Sequence, residues 1–322
     1  MEKSLVTSSP HIFHSDSTRG IMIDVIIALI PATVAGTLIF GLRALLVIGV
    51  CIVTAVLSEY ITCKILKRNT TVTDMSAVLT GLLLGLNLPV GIPLWIAAIG
   101  SIVAIVVVKQ LFGGLGQNFA NPAITARIVL LVSFPAAMTA WSEPTFLTKL
   151  FDADAVTSAT PLAASADTYT FKQLLLGFHS GCIGETCAVL LIAGGIYLAV
   201  RRVITLHIPL SFIGTVAVLT FVSALFSNSF AAAGVIALKA VLSGGLLLGA
   251  VFMATDYVTS PKNRKAKVVF GVGCGIITFV IRRFGSLPEG VSYSILLMNI
   301  ITPHLDNMFK TKPFGMEGKA ND

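Results

Sequence analysis

Charge is the scarcest feature of this chain. Only 11% of its 322 residues are Asp, Glu, Lys or Arg, against 55% hydrophobic ones, and the mean hydropathy is +0.92. Soluble domains run at about 25% charged, so a water-soluble fold is excluded for want of polar surface, and an integral membrane protein is expected. Cysteine is sparse too: Cys51, Cys63, Cys182, Cys187 and Cys274 include no Cys-x-x-Cys pair. Iron–sulfur or zinc ligation by this chain alone is therefore not expected. Cys182 and Cys187 are close enough in sequence to pair, yet they read better as small apolar fillers at a helix start. His11, His14, His179, His207 and His304 share no metal-ligand spacing, and three of them lie in polar flanks or loops, where solvated surface is expected. A Walker loop and a Gly-x-Gly-x-x-Gly fingerprint are both missing, which argues against ATP or dinucleotide binding here. The stretch from Met1 to Arg19 has no cleavable hydrophobic core, so no signal peptide is expected. The net charge of +7 would suggest a nucleic-acid partner in a soluble protein. Here the cations sit in short loops between apolar runs and set topology instead, so no nucleic acid is expected.

What the chain has in abundance is apolar length. Candidate spans run at Ile23–Phe40, Ala44–Cys63, Met75–Leu88, Ile92–Val108 and Phe119–Phe134, then at Ile183–Val200, Ile208–Phe226, Leu238–Thr255, Val268–Ile281 and Val291–Met308. Several fall short of the roughly 20 residues a straight crossing needs. Met75–Leu88 runs into Asn87-Leu-Pro89, and Phe119–Phe134 contains Asn121-Pro122. These are read as broken or half-length helices, which survive only where protein covers the freed backbone groups.

Ten spans with both termini in the cytoplasm place fifteen basic residues inside and six outside, with Arg127 within a span. That asymmetry fixes the orientation. Arg282-Arg283 opposes it. The two halves also repeat: Ala77-Val-Leu-Thr-Gly-Leu-Leu-Leu-Gly85 matches Ala240-Val-Leu-Ser-Gly-Gly-Leu-Leu-Leu-Gly249, and Phe112-Gly-Gly-Leu115 matches Phe284-Gly-Ser-Leu287. Five spans per half is an odd number, so the second copy must be inverted. The expected fold is thus an all-α integral membrane protein of about ten transmembrane helices in two inverted five-helix repeats. Its parts are a cytoplasmic N-terminal segment (1–22), a first repeat (23–134), an outward loop (135–182), a second repeat (183–308) and a cytoplasmic tail (309–322).

That loop is the one long polar stretch, and long loops on rigid scaffolds commonly carry function. Its middle reads Asp154-Ala-Val-Thr157-Ser158-Ala-Thr160-Pro161. Pro161 keeps Thr160 out of helical geometry, in a small-residue setting that a modifying enzyme can grip. Chemistry alone leaves two readings open, a modification site and a solvated linker.

The Asp154–Leu162 stretch resembles the flavin-attachment site of the family that contains the D subunit of the Rnf-type ion-translocating ferredoxin:NAD oxidoreductase and the B subunit of the sodium-translocating NADH:quinone reductase. The family pattern is Asp-x-x-Ser/Thr-Gly-Ala-Thr, and this chain departs from it by placing Ser158 where glycine is usual. The likeness extends along most of the chain, through Ser9-Pro10-His11, Asp74-Met-Ser-Ala77, Asn118-Phe-Ala-Asn121-Pro122 with Arg127, and Ala254-Thr-Asp256 with Val258-Thr-Ser-Pro261. Length and N-terminal residues are nearer the Rnf branch. The resemblance implies FMN esterified to Thr160 by a dedicated flavin transferase, with Asp154, Thr157 and Ser158 completing the motif. It also implies an electron-relaying subunit of a membrane redox complex, whose other subunits meet NAD and ferredoxin. Asn118, Asn121 and Arg127 are candidate contacts to a flavin, including a second, non-covalent one; for Asn121-Pro122, helix breaking is an equal alternative.

Ionisable residues within spans are functional candidates by default. Glu59 is expected to reach an interface, Asp24 and Glu185 to cap helix starts, and Asp256 to pair with Lys262 or Arg264. A reading from another class also fits the repeat and the broken helices: a channel or secondary transporter for a small solute. Only the loop discriminates, because a transporter has no use for Thr160 in that setting.

Overall fold

Ser17 opens the first helix: its hydroxyl accepts from the amide of Gly20 at 3.1 Å, and α1 runs from Thr18–Phe40. The computed structural model describes residues 17–144, 162, 169–185, 187–227, 229–285 and 290–309, and among them helices are the only regular elements. Gly41, at φ 82°, turns the chain directly into α2 (Leu42–Ile65). α3 (Ser76–Leu86) is short because Asn87 folds its amide back onto the Leu83 carbonyl at 2.7 Å and Pro89 follows. α4 (Leu94–Ile102) continues as a π-helical segment, Val103–Gln110, whose wider turn redirects its last side chains. α5 (Pro122–Ser133) and the single turn α6 (Pro135–Met138) close the first half.

α7 (Phe171–Leu176) leads into α8 (Ala188–Val200), α9 (His207–Leu225) and α10 (Phe230–Leu242). α11 (Leu246–Leu248) continues as a π segment, Gly249–Met253, and α12 (Arg264–Phe284) and α13 (Val291–Met308) complete the chain. Three helices, α1, α2 and α9, are long and apolar enough to cross a bilayer, and α10 with α11 and its π segment forms a fourth span bent by 61°. The run read as a single span at Leu238–Thr255 is thus two helices broken at Ser243–Gly245, where Gly244 and Gly245 adopt φ 69° and 64°. The run read as Phe119–Phe134 is a helix only from Pro122 onward.

The short helices form the centre. α3 is buried along most of its length, whereas α1 exposes Ile27, Ile30, Val34 and Leu38 at helical spacing on its outer side, a stripe suited to lipid. α9 and α12 come close because Gly271 and Gly275, one turn apart, leave room for Ser211 and Thr215. The chain folds as a multi-pass helical bundle with its polar groups turned inward.

Candidate functional site

α1, α3, the π segment after α4, the start of α5, the end of α8 and the π segment after α11 line a partly open cavity of about 80 Å³. Its lining is mostly apolar, with Ser76, Thr80, Lys109, Asn118, Asn121, Thr255, Asp256 and Tyr257 as polar exceptions. Lys109, counted from sequence among the inner loop cations, is instead 2% exposed. Its Nζ donates to Glu59 Oε1 at 2.7 Å and to Ser76 Oγ at 2.8 Å. Glu59 does not reach an interface. It is fully buried, and Oε1 also accepts from Gln110 Nε2 at 3.0 Å and Thr71 Oγ1 at 2.6 Å, while Oε2 has no partner. Three segments, α2, the π segment and the Thr71 linker, thus meet on one carboxylate oxygen.

Of the sequence-derived site residues, Asn118 and Asn121 share this cavity. Asn121 is the N-cap of α5: Oδ1 accepts from Ala123 and Ile124 amides at 3.0 and 3.3 Å, and Nδ2 donates to the Met253 carbonyl at 3.1 Å. It therefore starts a helix and ties the two halves together. Asn118 Nδ2 donates to the Ala120 carbonyl at 3.0 Å. Asp256 lies on the opposite half and pairs with neither Lys262 nor Arg264 among the described residues; its Oδ2 accepts from Thr259 Oγ1 at 3.1 Å. Burial pushes its carboxyl above the usual carboxylate range.

Arg127 belongs to a second polar centre, deeper in the seam. It donates to Asn87 Oδ1 at 3.2 Å, Ser292 Oγ at 3.0 Å and Cys182 Sγ at 3.2 Å, and Glu185 Oε1 lies 3.8 Å away. Glu185 does not cap α8, whose N-cap is Cys187. It lies under Gly245, where a Cβ would come within 2.6 Å of Oε1. Asp24 likewise caps nothing, since Ser17 fills that role. It accepts from Tyr197 Oη and Arg201 Nη2, each at 3.1 Å, joining α1 to the end of α8.

Asp154, Thr157, Ser158 and Thr160 lie outside the described residues. Two residues beyond Thr160 in sequence, the Leu162 side chain rests on Gly244 beside the Arg282 guanidinium. Arg282 opposed the charge asymmetry for a structural reason: it donates to the carbonyls of Ala240, Ser243 and Gly244 at 2.7, 3.1 and 3.1 Å, closing the end of α10 at the break. His179, expected at a solvated surface, is 1% exposed. Its Nδ1 donates to the Ser180 carbonyl at 3.3 Å, and burial pulls its pKa below the ordinary value. Sequence could not have found Glu59 with Lys109 as a pair, because 50 residues separate them.

The fold and these centres define a multi-pass membrane protein with charges buried along an internal seam. Residues 5–315 match the model of the NQR2, RnfD, RnfE family, and the chain belongs to that family. It is 43% identical over 318 residues to the D subunit of the Na(+)-translocating ferredoxin:NAD(+) oxidoreductase complex of Acetobacterium woodii, covering 97% of this chain and 95% of the relative. It is 43% identical over 323 residues to the D subunit of the proton-translocating ferredoxin:NAD(+) oxidoreductase complex of Clostridium ljungdahlii, covering 96% of each. The D subunit of the ion-translocating oxidoreductase complex of Halorhodospira halophila is 36% identical over 345 residues, covering 97% of this chain and 96% of the relative.

Proposed function

We propose that this chain is the electron-relaying membrane subunit of an ion-translocating ferredoxin:NAD oxidoreductase complex and carries FMN on Thr160. The observation that carries the reading is end-to-end similarity, at 43% identity, to relatives that bear the name of the D subunit of such complexes. Asp154, Thr157 and Ser158 serve as the recognition motif of the flavin transferase. When bound, the flavin supplies one- and two-electron redox chemistry that no side chain here possesses. Leu162, packed on Gly244 beside Arg282, anchors the chain just beyond the attachment residue. The remaining subunits take ferredoxin and NAD.

In this reading the chain lies in the cytoplasmic membrane as ten spans in two inverted repeats, with both termini inside and the flavin-bearing loop outside. Packing supports the repeat. α2 contacts α3 and α4 as α9 contacts α10 and α12, and the proposed equivalents α1 with α8, and α5 with α13, meet across the seam. The cavity between the halves is the place this reading gives to a second, non-covalent flavin. Its apolar walls suit a planar ring system, and Lys109, Asn118 and Asp256 are polar groups among its lining. Arg127, in the separate centre, joins the halves through Asn87, Ser292 and Cys182.

Co-expression with the flavin transferase, followed by a denaturing gel under ultraviolet light, tests the covalent site. A fluorescent band is expected at 33.9 kDa plus the flavin phosphoryl group, with the added mass mapped to the Thr160 peptide. Thr160→Val, nearly isosteric, should give a dark band. An unmodified wild-type peptide would leave the solute-transporter reading in its place.

A further inference from the structure

Lys109 is the one cation lining the cavity among its described residues, and Asp256 is the one acid. An ammonium has three donors. Two are committed, to Glu59 Oε1 and Ser76 Oγ. The remaining N–H has no partner among the described residues. Nearby side chains are engaged locally: Thr80 donates back to the Ser76 carbonyl at 2.9 Å, Asn121 spends both ends of its amide on backbone, and Asn118 Nδ2 donates to Ala120. Glu59 itself does not line the cavity, whereas Lys109 and its acceptor Ser76 do. The π turn that carries Lys109, the Ser76 hydroxyl at the start of α3 and Glu59, itself held by Thr71, fix that ammonium in place. A lysine held this firmly loses little side-chain entropy when it takes a third partner.

We infer that Lys109 is a binding and potential-setting residue for the cavity's ligand. Its free N–H would donate to a carbonyl oxygen or ring nitrogen at the edge of a planar heteroaromatic ring, and it would favour the ring's reduced, anionic form over the oxidised, neutral one. Glu59 acts as its positioning residue. This rests on the reading that the cavity holds a non-covalent flavin, but it makes a claim that reading does not: one side chain sets the affinity and redox bias. A cation about 3 Å from a ring that gains negative charge on reduction binds that state more tightly, so the bound ring must be easier to reduce than the free one.

The full chain, purified from cells lacking the flavin transferase, is titrated with riboflavin by fluorescence quenching, and the potential of the bound riboflavin is measured against free riboflavin. The wild type should bind riboflavin and shift its potential upward. Lys109→Gln should bind at least about tenfold more weakly, the loss expected for one charge-assisted hydrogen bond, and should abolish the upward shift. Lys109→Arg should keep most of both. Equal affinity and potential in wild type and Lys109→Gln would overturn the inference and leave the cavity reading intact. Should Lys109→Gln fail to fold, the wild type still decides: a bound potential at or below that of free riboflavin overturns it. If the wild type neither carries nor binds riboflavin, the cavity reading falls first, and this inference with it.

Discussion

Replacing Glu59 by leucine should destabilise the protein far more than replacing Glu59 and Lys109 together. The carboxylate is fully buried, and its Oε1 takes hydrogen bonds from Lys109, Gln110 and Thr71. Removing it strands a lysine that is 2% exposed, and a buried charge without its counter-ion costs about 3–5 kcal/mol. Lys109→Met strands the carboxylate and should cost a similar amount. In Glu59→Leu/Lys109→Met both charges go, and apolar replacement of such a pair is commonly neutral or stabilising by about 1–4 kcal/mol. The orphaned Gln110, Thr71 and Ser76 groups return roughly 1 kcal/mol each, so the double variant should sit near wild type. The cycle should therefore show a coupling of at least about 3 kcal/mol. Melting of detergent-solubilised protein, followed by size-exclusion fluorescence, reads this out. At roughly 2–3 °C per kcal/mol, the single variants should melt about 6–15 °C lower. Additive singles, or a double variant worse than either, would refute the buried pair as described.

Three further outcomes follow from other parts of the bundle. His179 prefers its neutral form when folded, so the folded state binds fewer protons than the unfolded one below pH 6.5. Stability should be complete above that value and fall as pH drops through the folded pKa, by at most about 1.4 kcal/mol per pH unit; in His179→Gln, melting should lose that part of its pH dependence. A Cβ on Gly271 would strike Ser211 and come within 2.9 Å of the Ile208 carbonyl, so Gly271→Ala should cost about 1–3 kcal/mol. Gly234→Ala, with nothing within 4 Å, should gain up to about 1 kcal/mol from helix propensity, and thermal melting of the two distinguishes clash from propensity. Arg282→Met removes three bonds to the carbonyls closing α10; a loss of about 2–3 kcal/mol is expected, read as faster proteolysis near the break and a lower melting point.

Hydropathy located the apolar elements well, because burial in lipid leaves its mark in every residue of a span. It could not say where a span is broken into two helices. Ser243, Gly244 and Gly245 sit inside an apolar run, and only the two left-handed glycines and the Arg282 guanidinium, some 40 residues away, reveal a gap there. The polar centres were half legible. A charge in an apolar run signals that a partner exists, but not which one. Glu185 turned out to lie near Arg127, from the other half, rather than at the start of α8. Lys109 looked like a loop cation because it ends an apolar run, whereas the π turn carries it inward. Asn121 was legible as a helix breaker; that its amide also grips the Met253 carbonyl across the seam was not.

The cap at the end of α10 has a further consequence. An interrupted span leaves bare carbonyls at the level of the break, and bare carbonyls invite water and small cations into the bilayer. By occupying the Ala240, Ser243 and Gly244 oxygens, Arg282 turns that interruption into an insulated joint. A machine that banks energy as an ion gradient cannot tolerate a leak through its own wiring, and a single guanidinium closes this one.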